Sequence, residues 1–299
     1  MIAPAILLYH RVADEQDPFD LCISPAQFGA QMTYLRERCA VMSLDDLAEA
    51  ARQGALPPRA VAVTLDDGYL DNFDVASPIL ERSGVPAMFF VTTADLEQPR
   101  EFWWDTVRRI VLEEPELPGE IVVGLDPSLR VSLGGPDERR HALRAIHGAL
   151  RCLDARRRDD AVRDIRASLE RHTGPSLRPM AAAEVRTLAG RPGHTIGAHT
   201  VRHLSLPAQD RATQLSEMRE CRETLETLLE RPVTRIAYPF GEASSETVAI
   251  AAAAGFTVGV VVDGELDAPL DLLRLPRIEP HRMDQPFDVA LEGFFQRQA

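Results

Sequence analysis

Short runs of apolar residues recur along the chain, separated by longer segments with helical periodicity. Seven runs are predicted to be buried strands: Ala5–Tyr9, Ala60–Leu65, Ala87–Val91, Thr195–Ala198, Arg235–Tyr238, Thr257–Val262 and Leu273–Ile278. Continuous apolar strands that alternate with helices are typical of a parallel sheet with both faces covered. The pattern therefore predicts an α/β fold, a distorted (β/α)7 barrel.

The helices between these strands carry start signals. Ser24-Pro25-Ala26-Gln27 combines an N-cap serine, a proline at the first helical position and a glutamine able to close a capping box. Ser43 begins a second helix in the same way. Further helices are predicted at Leu70–Arg82, Met180–Ala189, Asp210–Glu230 and Ser245–Ala254.

One segment, from about residue 94 to residue 179, interrupts this alternation. It is charged and punctuated by proline, with a predicted helical pair around Asp137–Leu153 and Asp159–His172. We interpret it as a helix-rich insertion after the third strand of one domain that spans residues 1–299. Its Arg156-Arg157-Arg158 run could bind an anion or form a solvated helix face, and charge runs of this kind favour the second interpretation.

The charge of the chain narrows the function classes. The net charge is −13, and all 33 basic residues are arginine. Strong acidity argues against a nucleic-acid partner, which normally requires a basic patch. Without lysine there is no Schiff base, no Walker-type phosphate-binding lysine and no Ser-Lys dyad.

The N-terminus and the cysteines bear on location. Met1–His10 has no basic lead and no small-residue cleavage site, which predicts a cytoplasmic protein. No apolar stretch reaches the roughly 20 residues of a membrane span. The four cysteines lack C-x-x-C spacing, which favours reduced thiols over disulfides or a zinc knot.

Three strand ends carry groups suited to chemistry. Asp66-Asp67-Gly68 follows the second strand, where one carboxylate could bind a metal while the other stays free as a base; simple turn chemistry is the alternative. His199 and His203 are four residues apart, so a helical turn lets both imidazoles share one ion. Two histidines with separate hydrogen bonds are the alternative there.

The third strand end, Tyr238-Pro239-Phe240-Gly241, forces a turn that can aim a backbone N–H into the barrel mouth. Taken together, a carboxylate and two histidines form a three-ligand site with an open position, the arrangement of catalytic zinc. Strand ends in a parallel barrel share one face, where active sites lie. Asp66 is suited to act as the base.

With these motifs the chain resembles the polysaccharide deacetylase family, whose NodB-homology domain is a distorted (β/α) barrel and which includes carbohydrate esterase family 4. The resemblance runs from Leu7 to about Arg277, outside the insertion. Asp66-Asp67-Gly68 matches the first motif of the family, His199–His203 the second and Tyr238–Gly241 the third.

The resemblance implies a role for each matching residue. Asp67, His199 and His203 are expected to bind a divalent metal ion, with zinc favoured, and Asp66 to act as the general base. The backbone N–H of Phe240 is expected to hold the oxyanion.

Other positions complete or depart from the family pattern. His10, at the end of the first strand, is expected to line the pocket. An arginine common before the third motif is absent, because Ala237 stands there and Arg235 lies two residues earlier. His281 is the nearest candidate for the general acid, although its spacing differs from the family's fifth motif, and His10 is the other candidate. Three further residues are expected to contact substrate: Tyr238, Pro239 and Arg277.

The predicted function is metal-dependent removal of an N-acyl group, such as acetyl, from an amino sugar or glycoconjugate. Two alternatives stay open: hydrolysis of another non-peptide amide (a formamide, imide or ureide) and a catalytically silent carbohydrate-binding relative. A homo-oligomer is also left open. Trp103 and Trp104 could stack on a sugar ring, but aromatic pairs in a helical insertion favour core packing.

Overall fold

The computed structural model describes residues 4–171, 177–262, 270–280 and 285–297. Its strands are β1 Ala5–Tyr9, β2 Arg11–Val12, β3 Cys22–Ile23, β4 Ala40–Val41, β5 Ala60–Leu65, β6 Ala87–Val91, β7 Glu120–Val123, β8 Leu129–Ser132, β9 His194–Ala198, β10 Arg235–Ala237, β11 Val258–Val261 and β12 Leu275–Pro276. Its helices are α1 Pro25–Arg38, α2 Leu44–Arg52, α3 Ser77–Ser83, α4 Trp103–Glu113, α5 Pro136–Leu150, α6 Ala155–Leu169, α7 Ala182–Ala189, α8 Arg211–Leu229, α9 Ser245–Ala253 and α10 Phe287–Arg297.

The central sheet contains seven parallel strands in the order β1-β5-β6-β9-β10-β11-β12, with β4 paired to β5. Ile278, just after β12, returns to the first strand: its carbonyl accepts from the N–H of Leu8, and its own N–H donates to Ile6, both at 2.8 Å. The sheet therefore curls into a nearly closed barrel, and the predicted (β/α)7 fold is confirmed.

Alternate residues of each strand pack into different layers. Leu7, Val63 and Phe89 pack beneath the surrounding helices, whereas Ile6 and Met88 belong to the set that packs across the inside of the barrel and against α2. Both faces are thus buried, which explains why the strands read as continuous apolar runs. The first three predicted strands have the bounds that the sequence indicated.

The predicted N-cap serines are confirmed, whereas Gln27 Oε1 accepts from the Ser24 hydroxyl at 3.1 Å and not from the Ser24 backbone N–H that a capping box requires. Ser24 and Ser43 accept hydrogen bonds from backbone N–H groups three residues later, at the starts of α1 and α2. The predicted helix Leu70–Arg82 is divided instead, into a π-helical segment at Asn72–Ala76 and α3. Pro78 has no N–H, so it is accommodated in the first turn of a new helix.

Residues between β6 and β9 fold over one end of the barrel as α4, the antiparallel β7–β8 hairpin, α5 and α6. These elements share a second hydrophobic core, in which Trp103 and Trp104 are only 8% and 4% exposed, as the core-packing interpretation predicted. The sequence did not predict α4, the hairpin or α10. The hairpin strands are short and only partly buried, so they form no continuous apolar run.

Within the described residues, no helix combines the length and apolar character required to cross a membrane. The four cysteines are free thiols.

Candidate active site

The three motifs lie at the carboxyl ends of neighbouring strands. Asp66 follows β5, His199 follows β9, and Phe240 lies just beyond β10. The backbone is fixed by the sheet at two of these points: the N–H of Asp66 donates to Tyr9 at 2.9 Å, and that of His199 donates to Val91 at 3.0 Å. The barrel therefore brings distant segments to one face, as expected for strand ends.

The backbone at this face has an unusual conformation. Of the seven described non-glycine residues with positive φ, four lie here: Asp67 (71°), Thr200 (63°), His203 (53°) and Phe240 (59°). Such residues carry strain of about 1–3 kcal/mol each and cluster at functional sites. Gly68 (φ +80°) is required beside them, because an added Cβ would lie 3.0 Å from Val91 Cγ1.

Asp67, His199 and His203 form one buried cluster. Asp67 Oδ1 lies 3.3 Å from His199 Nε2 and 3.4 Å from His203 Nε2, and the three ligand atoms are all within 4.8 Å of one another. Asp67 Oδ1 has no hydrogen-bond partner of acceptable geometry among the described residues. Because buried polar atoms are normally satisfied, the residues fit a cation held between them.

The imidazole rings of His199 and His203 can each present a nitrogen lone pair to a metal ion. His199 Nδ1 lies 2.8 Å from the carbonyl oxygen of Ala237. A carbonyl can only accept, so Nδ1 carries the proton and Nε2 presents its lone pair to the cluster, as in many metal sites. Burial lowers the pKa of His203 to about 3, so its ring is neutral and able to ligate at neutral pH.

Asp66 belongs to a separate ion pair. Its two carboxylate oxygens accept from Arg277 Nη1 at 2.7 Å and Nη2 at 2.6 Å, and Nη1 also contacts Thr64 Oγ1 at 3.2 Å. Burial raises the pKa of Asp66, but the charge and hydrogen bonds of Arg277, together with neighbouring histidines, outweigh this effect and hold the pKa below its usual range. Asp66 is therefore kept ionised and oriented, 3.9 Å from His199 Nε2.

This ion pair corrects one expectation. Arg277 was expected to contact substrate, but its side chain is 0% exposed and both terminal nitrogens bind Asp66. Arg235, two residues before the third motif, pairs instead with Asp45 at 2.5 Å. An arginine at the end of the last predicted strand was the available sequence signal.

The Arg277→Gln variant is expected to lose stability by about 3–5 kcal/mol, because a buried carboxylate remains without its partner. Any folded fraction should show the acidic limb of its kcat/KM profile at higher pH than wild type. The acidic limb moves to higher pH because Asp66 must be ionised to act as the base, and losing the guanidinium raises the pKa of Asp66. Urea denaturation and pH–rate profiles measure both effects; an unmoved limb would contradict the assignment of Arg277 as a positioning residue.

The predicted substrate contacts of Tyr238 and Pro239 in the third motif are also wrong. Tyr238 is fully buried and donates its hydroxyl hydrogen bond to the Leu273 carbonyl at 2.9 Å, and Pro239 is buried beside it. These two side chains support the turn and do not face a substrate. The Phe240 ring packs 4.6 Å from the His203 ring and lies under the Arg151 guanidinium at 4.4 Å. The insertion thus holds the turn that carries the Phe240 N–H.

The two candidates for the general acid differ in placement. His10 directly follows β1, whose last residue, Tyr9, pairs with Leu65, the residue before Asp66. Its carbonyl accepts from Asn72 Nδ2 at 2.7 Å, which fixes the backbone there. His281 lies outside the described residues.

A buried polar network that the sequence did not reveal joins the insertion to the first motif. The Tyr69 hydroxyl donates to Asp105 Oδ2 and accepts from Trp104 Nε1, both at 2.7 Å, and the Trp104 ring lies 4.8 Å from the His203 ring. Burial raises the pKa of Asp105 to about 7.

Asp105→Asn is expected to raise the melting temperature at pH 8 and to leave it nearly unchanged near pH 4. A carboxyl whose pKa is raised on folding costs stability as pH rises from its unfolded value of about 3.9 towards 7, and asparagine removes that cost. Thermal melts between pH 4 and pH 8 measure the difference. A variant that is less stable at every pH would show that ionised Asp105 is needed by Tyr69 or by Arg108, whose Nε lies 3.8 Å from Asp105 Oδ1.

A parallel barrel with a buried Asp-His-His cluster and a second, oriented aspartate at its strand ends defines a class of barrel hydrolases. The sequence pattern of the family described as "Polysaccharide deacetylase" matches residues 53–117 and 165–259, more than half of the chain and including all three motifs. The chain belongs to the polysaccharide deacetylase family, which acts on amide C–N bonds of acetylated sugars.

Individual proteins show the same relationship. YxkH of Bacillus subtilis (strain 168), to which a polysaccharide deacetylase function is ascribed, is 20% identical over 293 residues, covering 96% of this chain and 76% of YxkH. The deacetylase PplD of Streptococcus pyogenes, solved with acetate, has a TM-score of 0.62 at 19% identity, covering 99% of this chain and 97% of PplD. IcaB of Ammonifex degensii has a TM-score of 0.63 at 16% identity, covering 98% and 97%. At these identities the solved structures establish a shared fold.

Proposed function

We propose that the protein is a metal-dependent N-deacetylase of an amino sugar or glycoconjugate. One observation carries the proposal: His199 and His203 lie against a buried carboxylate oxygen of Asp67 that has no hydrogen-bond partner among the described residues, with the ionised Asp66 beside them. A silent sugar-binding relative has no need of both a ligand cluster and an oriented base, so the arrangement favours catalysis.

Asp67, His199 and His203 would hold the cation. A set of two imidazoles and one carboxylate suits zinc, although other divalent ions accept the same ligands. When bound, such an ion polarises a carbonyl group and lowers the pKa of a water molecule.

The remaining roles fall to residues of the chain. Asp66 accepts the proton of the attacking water, and Arg277 keeps its carboxylate aimed and ionised. The backbone N–H of Phe240 donates to the developing oxyanion, a contact worth about 3–4 kcal/mol in comparable sites. His10 or His281 protonates the departing amine; the choice between them stays a prediction, as does the cytoplasmic location.

The test is acetate release by purified protein supplied with zinc. N-acetylglucosamine oligomers, nucleotide-linked N-acetyl sugars and a panel of formamides, imides and cyclic ureides would be compared, with Asp66→Asn as the inactive reference. Turnover of N-acetyl sugars alone is expected. Turnover confined to the other amides would replace the proposed substrate class, and saturable sugar binding without turnover would point to a silent relative.

A further inference from the structure

A cavity of about 650 Å³ lies beside the candidate active site, between the barrel and the inserted helices. His203 and Trp104 form part of its wall, and α6 contributes another part through Arg158 and Val162. The cavity therefore reaches one of the proposed metal ligands. Its volume is typical of small-molecule sites, so it can hold a part of the substrate beyond the sugar that reacts.

Arginine is prominent on this wall, although the chain carries a net charge of −13. Four of the five arginines that line the cavity pair with carboxylates at 2.7–3.2 Å, and their charges are largely compensated. The fifth, Arg158, differs. It comes from the run of three arginines, of which Arg156 and Arg157 are exposed, as expected of a solvated helix face, while Arg158 is buried.

The Arg158 side chain is 5% exposed and poorly neutralised. Its Nε and Nη2 reach Asp159 Oδ1 only at 3.5 Å, the long limit of a hydrogen bond, and that carboxylate is 58% exposed. Nη1 donates to the carbonyl of Arg202 at 3.0 Å. Among the described residues these contacts use three of the five guanidinium N–H groups.

Burying a charge is costly unless it is paired. Burial lowers the pKa of Arg158 despite the opposing charges of Asp159 and of Glu217, which is itself paired with Arg202. Arg158 and His203 line the same cavity, and Nη1 donates to the carbonyl of Arg202, the residue next to the proposed metal ligand. An anionic group in this cavity would supply the missing partner.

We propose that Arg158 binds a phosphate or diphosphate group of the substrate, so that the enzyme acts on an N-acetylated sugar carrying such a group. The inference rests on the proposed deacetylase function. A planar guanidinium fork suits phosphate oxygens, and Trp103 supports it with its ring centre 5.6 Å from the guanidinium carbon. Nucleotide-linked and polyprenyl-linked sugars both carry this chemistry.

The experiment compares kcat/KM of the zinc-loaded enzyme for four substrates. These are a neutral N-acetylglucosamine oligomer, N-acetylglucosamine 1-phosphate, a uridine-diphosphate-linked N-acetyl sugar and a polyprenyl-diphosphate-linked one in detergent. Arg158→Gln is expected to lower kcat/KM for the phosphorylated substrates by about tenfold to a hundredfold and to leave the neutral oligomer within about threefold. Arg156→Gln, an exposed neighbour on the same helix, is the matched control and should change neither.

The two linked substrates distinguish the sources of the diphosphate. Equal losses for neutral and phosphorylated substrates, or a wild-type preference for the neutral oligomer, would overturn the inference while leaving the deacetylase function intact.

If no N-acetyl sugar is turned over, the proposed function fails, and calorimetric titration with inorganic pyrophosphate still tests Arg158. Affinity should weaken at least about fivefold in Arg158→Gln, and equal affinity in both proteins contradicts the anion site. Arg158→Lys, which keeps the charge, should recover part of the loss if the variant folds.

Discussion

Replacing Asp66 with asparagine is expected to lower kcat by about 10²- to 10⁴-fold while the bound metal stays near one ion per chain. Asparagine has the same shape but cannot accept a proton from water, and the cluster of Asp67, His199 and His203 is left intact. Stopped assays of acetate release and metal analysis of the same preparation measure the two quantities.

The control for this variant must allow for a broken ion pair. Asp66→Asn also leaves Arg277 buried without a charged partner, which costs about 3–5 kcal/mol. Asp71→Asn breaks another largely buried pair, with Arg11 at 3.1 Å, outside the proposed machinery. It should lose stability but keep kcat within a few-fold. If Asp66→Asn keeps more than a tenth of wild-type kcat, a different group is the base.

Removing the metal is the second change with a large expected effect. His199→Ala, or chelation of the wild-type protein, should lower activity by about 10³-fold, since the ion is expected to contribute several kcal/mol. Re-adding zinc should restore the chelated wild type but not the variant. Zinc at a hundredfold excess over its Kd should stabilise wild type by about 2.7 kcal/mol and raise its melting temperature, without effect on His199→Ala.

A second histidine, at the opposite end of β9 from His199, gives the control. His194 begins β9, at the end away from the site, and its Nε2 lies 2.8 Å from Ser77 Oγ. His194→Gln should reduce stability but leave metal content and kcat near the wild-type values. Full activity of the chelated wild-type protein would exclude a metal-dependent reaction.

The barrel was predictable because the burial of each strand depends on residues that are adjacent in the sequence. Each strand is buried on both faces, so it must be a continuous apolar run, and Ala5–Tyr9, Ala60–Leu65 and Ala87–Val91 appear with the predicted bounds. The convergence of Asp67 with His199 and His203 was predictable for a related reason. Parallel strands end at one face, and residues that follow those ends are placed together.

Other parts of the site depend on contacts that no periodic pattern encodes. The pair between Asp66 and Arg277 joins residues 211 positions apart, and either could equally have faced solvent or substrate. The packing of Trp104 against His203, and of Arg151 against Phe240, depends on how the inserted helices dock on the barrel. Helix docking is set by the shapes of both surfaces, which the sequence of one segment does not define.

By itself, the sequence determined the alternation of strands and helices, the strand ends that carry the chemistry and the exclusion of lysine-based mechanisms. The tertiary structure alone decided that Arg277 serves Asp66, that Tyr238 is structural, and that Arg158 turns inward while its neighbours Arg156 and Arg157 stay in solvent. The physical reason is the range of the forces involved. Adjacent residues determine whether a strand is buried, whereas the three-dimensional arrangement of the whole chain determines which group pairs with a buried charge.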